Sequence, residues 1–238
     1  MTLHRLLLTH LYTGYTRTWT DRRKKSLNAA FDGSARRPTE SDITELLAAA
    51  TGDLESLLVD FFWKAANVAG TPPAGTRIRT YASDFAHYYP PANCCPHEPD
   101  LILTTPASDP SDPPVPRVVV EVKGNAHING RHGYCTHLPG RYNNQVLAYP
   151  TGCWTNAPLD DTAFVWLTLD KALRHPLGPW GRGGIIDADY VNGNLQPYQQ
   201  AQETWNAAGW GDLLTALAVS EEGRITAKII HHWLQGKP

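Results

Sequence analysis

The chain has 238 residues, 42% hydrophobic and 18% charged, with 21 lysines and arginines against 23 aspartates and glutamates. That size suits one substantial α/β core and is short for two full-sized domains, and the composition excludes extended disorder outside the ends and one proline-rich loop. A formal net charge of -2 excludes a generally basic, polyanion-coating surface, so any nucleic-acid contact has to come from local charge.

Residues 2–13 read as a helix. Their three consecutive leucines fall far short of a signal sequence or membrane span, so a cytoplasmic location with no membrane partner is expected. The run Arg22, Arg23, Lys24 and Lys25, with Arg36 and Arg37 after it, is a candidate track for a DNA phosphate backbone; a solvated surface run is the alternative. Residues 41–69 read as helical because Leu54, Leu57, Leu58, Phe61 and Phe62 recur on one face. With Ser41 and Asp53 both plausible N-caps, the segment divides into two helices near Gly52.

Strands are expected at 76–82 and 101–104, on either side of an irregular aromatic and proline-rich segment, and most strongly at 117–123. There Val118, Val119 and Val120 form a β-branched run suited to a strand buried on both faces. The sequence ASDPSDPPVP before it reads as a surface hairpin loop. After a polar stretch rich in glycine and histidine, the pattern predicts a helix over 141–149, a strand over 162–169 and another over 184–191. A helix interrupted at Gly209 and Gly211 is expected over 197–218; the tail ITAKIIHHWL fits either a strand or a helix. No internal repeat is present. Cys94, Cys95, Cys135 and Cys153 lack the spacing of a disulfide scaffold or zinc ribbon and read as reduced thiols.

The chemistry-bearing pattern is Glu98-Pro99-Asp100 ahead of one apolar strand, then Glu121-Val122-Lys123 at the end of the next. Side chains alternate along a strand, so Glu121 and Lys123 share a face, and a hairpin can bring Asp100 beside them. Two carboxylates converging at a strand end make a hard oxygen site suited to Mg²⁺. A lysine among them could orient a water and offset charge developing on phosphorus.

This pattern resembles the PD-(D/E)XK motif of the restriction-endonuclease-like nucleases, with PD at 99–100 and ExK at 121–123. The resemblance spans about residues 41–170 and implies an α/β fold with an αβββαβ core, a central mixed sheet flanked by helices. The chain then reads as a single nuclease domain over 1–238, with N- and C-terminal elaborations around that core. It further implies Asp100, Glu121, Val122 and Glu55 at a Mg²⁺ site that Mn²⁺ can also fill, Lys123 positioning water, and Glu55 and Gln145 in support. Gln145 and Tyr149 form Q-x-x-x-Y, similar to the RecB-type branch; lying on one helix face, both could reach a phosphate.

His127, His132 and His137, with Arg131 and Arg141, follow the ExK strand. His127, Arg131, Arg141 and Tyr149 are the expected DNA contacts there, with solvated loop residues as the alternative. Tyr88, Tyr89 and Trp63 suit base stacking or, more simply, core packing. Zinc binding by Cys94, Cys95, His97, Cys135 or His137 is disfavoured because adjacent cysteines chelate poorly, and the cysteine spacing departs from that of iron-sulfur nucleases. No phosphate-binding G-x-x-x-x-G-K-[ST] loop occurs. The expected function is a Mg²⁺-dependent DNA endonuclease, acting as a homodimer in a restriction or phage setting. A RecB-like exonuclease or structure-specific repair nuclease, and a non-catalytic DNA-binding module, are the alternatives.

Overall fold

The computed structural model describes residues 40–81, 84–89, 98–124, 148–152, 154–168 and 203–235. Helix α1 (Glu40–Ala48) buries Ile43, Leu46 and Leu47 at the spacing of one helix face. Helix α2 (Gly52–Ala65) does the same with Leu54, Leu58 and Phe62, flanked by Val59 and Trp63. The break between them lies where the sequence suggests, but neither expected cap serves. Ser41 falls inside the first turn of α1, and α2 is preceded by extended Thr51, whose side chain makes no capping bond. Gly52 enters α2 at φ 59°, a left-handed backbone that glycine adopts without the Cβ clash other residues meet.

Among the described residues five strands follow: β1 (Arg77–Thr80), β2 (Leu101–Thr105), β3 (Val115–Val122), β4 (Ala163–Thr168) and β5 (Trp205–Gly209). They form one mixed, open sheet in the order β1-β2-β3-β4-β5. The first two pairings are antiparallel, and β3–β4 and β4–β5 are parallel. The proline-rich segment is the β2–β3 connection, although β3 starts early enough to include Pro116. A register shift at Leu103/Thr104 accommodates that start.

Alternation along the strands sorts the core into two layers. Leu101, Leu103, Val118, Val120, Val122, Val165 and Leu167 pack with α1, α2 and two C-terminal helices, α3 (Trp210–Leu217) and α4 (Glu221–Gln235). On the other face, Tyr149, Trp154, Phe164, Trp166 and Trp205 form a chain of ring contacts, with centroids 5.5–6.1 Å apart.

Two expectations change at the C-terminal end. Residues 205–209, read from sequence as part of a helix, are strand β5, because pairing with β4 outweighs the helical preference of Ala207 and Ala208. The sheet therefore extends past residue 170, where the family-like core was expected to end. The ambiguous tail is helix α4. The expected helix at 2–13 and strand at 184–191 lie outside the described residues, as does all of the 141–149 helix except its last two residues. Among the described residues, no helix is long and apolar enough to cross a membrane.

Candidate active site

Leu101 of β2 pairs with Val120 of β3, and continuing that register by one residue sets Asp100 across from Glu121. The ladder does not simply continue there. Instead the Val122 backbone N–H donates to Asp100 Oδ2 at 2.8 Å, so the carboxylate closes the strand end in place of a backbone carbonyl. Val122 itself, expected among the metal-binding residues, turns its isopropyl group into the helix-covered core on the opposite face from Glu121. Only its backbone can take part, because its side chain carries no donor atom.

Glu121 is 1% exposed and Lys123 is 5% exposed, an uncommon degree of burial for charged groups. Glu121 Oε1 meets Lys123 Nζ at 2.5 Å and accepts no other hydrogen bond among the described residues. Its second oxygen, Oε2, lies 3.0 Å from the Tyr149 hydroxyl, which is also 2.9 Å from the carbonyl oxygen of Glu98. Tyr149 is fully buried, and its own carbonyl accepts a bond from the Trp154 indole at 3.0 Å. Tyr149, expected as a DNA contact, bonds the ExK glutamate, and its ring is buried against Trp154 and Trp205.

Sequence reasoning missed Glu40. At the start of α1, it accepts Lys123 Nζ on Oε1 at 3.1 Å and the Gly124 backbone N–H on Oε2 at 3.0 Å. The helix glutamate expected to support the site was Glu55, whose carboxylate is paired with Arg77 on β1. Helix phase explains the difference. Glu55 lies in the first turn of α2 beside the edge strand, whereas the start of α1 reaches the end of the central one. A glutamate 81 residues upstream of the ExK motif carries no local spacing signal that could have singled it out.

Three carboxylates thus surround one ammonium. Burial, and then repulsion from Glu121, hold the Asp100 carboxyl well above the usual carboxylate range, against the Lys123 charge and the Val122 N–H. Burial likewise raises Glu121, opposed in part by Lys123 and Tyr149. For Lys123, burial acts to depress the pKa, but Glu121, Asp100 and Glu40 together outweigh it and raise the group above its ordinary value. The carboxylates around Lys123 thus favour its charged ammonium form.

No family model, curated protein or solved structure matches this chain. What the cluster can do therefore rests on its own chemistry. Among the described residues, no group of three or more His, Cys, Asp or Glu side chains is arranged to hold a metal ion. Asp100 and Glu121 are hard-oxygen groups close enough to interact electrostatically, and among the described residues the buried Glu121 Oε1 has the Lys123 ammonium as its polar partner, a setting whose donor chemistry fits a cation.

Gln145, His127, Arg131, Arg141 and the basic run Arg22, Arg23, Lys24 and Lys25 lie outside the described residues, as do all four cysteines, His97, His132 and His137. Of the aromatic residues considered for base stacking, Trp63 is buried in the core and Tyr89 packs on Phe85. Tyr88 is 42% exposed, with the Arg79 guanidinium 5.2 Å above its ring.

Proposed function

We propose that this protein is a Mg²⁺-dependent DNA nuclease with the restriction-endonuclease-like architecture that its PD…ExK pattern resembles. The observation that carries the reading is the gathering of Asp100, Glu121 and Lys123 at one end of the β2–β3 hairpin, with Glu121 and Lys123 buried in contact. A cluster with more carboxylates than cations is costly to bury, and a surface that only binds has no use for it. The order of two helices, an antiparallel three-stranded meander and a parallel fourth strand also agrees with such a core.

In this reading Asp100 and Glu121 would hold the ion, with water and a phosphate oxygen filling its remaining positions. When bound, Mg²⁺ supplies a Lewis acid that polarises the phosphate and makes a coordinated water more acidic. Lys123, charged and fixed by Glu121 and Glu40, orients the attacking water and offsets charge on the phosphate in the transition state. Tyr149 keeps Glu121 in one rotamer by binding the oxygen that Lys123 does not. DNA is the substrate class, and a homodimer would place one such site on each strand.

The test is Mg²⁺-dependent cleavage of supercoiled plasmid by the full chain. Lys123→Ala and Asp100→Ala should each abolish it, and undiminished cutting by either variant refutes the assignment. Strong preference for linear over closed circular DNA moves the reading to end-processing. Calorimetry that detects neither Mg²⁺ nor Mn²⁺ binding leaves a non-catalytic DNA-binding module.

A further inference from the structure

The peptide group joining Lys123 to Gly124 is held from both sides. Its carbonyl oxygen accepts the Trp210 indole N–H at 2.8 Å, and its N–H donates to Glu40 Oε2 at 3.0 Å. A trans peptide is planar, so fixing its oxygen and its N–H fixes the orientation of the whole unit, and with it the backbone torsion after the Lys123 Cα. One residue earlier the Lys123 N–H donates to the Leu167 carbonyl at 2.8 Å, close to the end of β4 at Thr168. The indole thus takes over at the point where the β3–β4 ladder runs out.

Trp210 is built to stay in place. It is 1% exposed, it is the first residue of α3 directly after β5, and its ring meets Trp233 of α4 edge-on at 5.2 Å and 72°. We infer that Trp210 is a positioning residue for Lys123: with Glu40 it clamps the 123–124 peptide, and this sets where Nζ enters between Glu121 and Glu40. The C-terminal helical pair is thereby coupled to the end of the central strand. The clamp follows from the geometry alone, and its effect on turnover rests on the nuclease reading.

Trp210→Phe keeps an aromatic ring against Trp233 and removes the donor. In the folded variant, hydrogen exchange at the Gly124 amide should accelerate about tenfold while the β1 amides keep their wild-type rates. Mg²⁺-dependent cleavage should lose about tenfold in kcat with KM for DNA unchanged, the size of effect typical of residues that orient a metal-site group. Unchanged exchange at Gly124, or unchanged kcat beside accelerated exchange, overturns the inference, as does a loss confined to KM. If the variant does not fold, the wild-type chain still decides. The Trp210 indole N–H and the Gly124 amide should exchange through one opening event, and an indole that exchanges far faster than the amide sinks the clamp. A wild-type chain that cleaves no DNA defeats the nuclease reading, and the exchange measurements then decide the clamp by themselves.

Discussion

The Tyr149 hydroxyl is shared between Glu121 Oε2 at 3.0 Å and the Glu98 carbonyl oxygen at 2.9 Å. One phenolic proton serves two acceptors, so the tyrosine ties the residue two places before Asp100 to the glutamate across from it. Tyr149→Phe keeps the ring contacts with Trp154 and Trp205 and removes only this link. It should lower Mg²⁺-dependent cleavage about tenfold, as loss of an outer-shell partner does. It should also cost about 2 kcal/mol in a urea unfolding titration, because a buried carboxylate oxygen loses its donor. Wild-type turnover in the variant would show that Glu121 needs no such support.

Glu40 and Glu55 separate by the same assay. Glu40→Gln removes one of the charges that hold Lys123 while leaving an amide able to meet the Gly124 N–H, and cleavage should fall about tenfold. Glu55→Gln should leave cleavage unchanged. Its effect on stability should stay under about 1 kcal/mol, because the Arg77 partner is largely exposed. The reverse ranking would restore Glu55 as the supporting carboxylate.

The raised Asp100 carboxyl makes the metal-free protein pH-sensitive in a definite direction. A group whose folded pKa lies above its unfolded one favours folding while protonated, and that contribution is lost as pH rises through the folded value. Asp100→Asn keeps an oxygen for the Val122 N–H without the charge. Its melting temperature should match wild type near pH 4, where free carboxyls begin to ionise, and exceed it increasingly toward pH 8. A gain that is largest in acid would reverse the sign and remove the argument.

Adding the ion should reverse that penalty. With Mg²⁺ at about one hundred times its dissociation constant, linkage predicts about 2.7 kcal/mol of added stability, read as a rise in wild-type melting temperature. Asp100→Asn and Glu121→Gln should abolish the rise, and Glu55→Gln should keep it. An equal response in all four proteins would place the ion elsewhere.

The sequence was informative wherever the signal is local. The β-branched run at Val118, Val119 and Val120, the apolar flanks of Asp100, and the helix-face repeat of Leu54, Leu58 and Phe62 each fix an element from a few neighbouring residues. The alternation that puts Glu121 and Lys123 on one face follows from strand geometry with no knowledge of the fold. Strand β5 was not legible in this way. Its two alanines favour helix, and the β4 backbone beside it overrides that local preference.

By itself the sequence determined the two antiparallel strands and the ordering of acid, acid and lysine along them. Only the tertiary structure decided what surrounds those groups. Glu40 and Trp210 come from separate parts of the chain, and each is selected by direction and distance after packing. Hydrogen bonds depend on where atoms sit in space, whereas a sequence pattern records only which residues are near one another along the backbone.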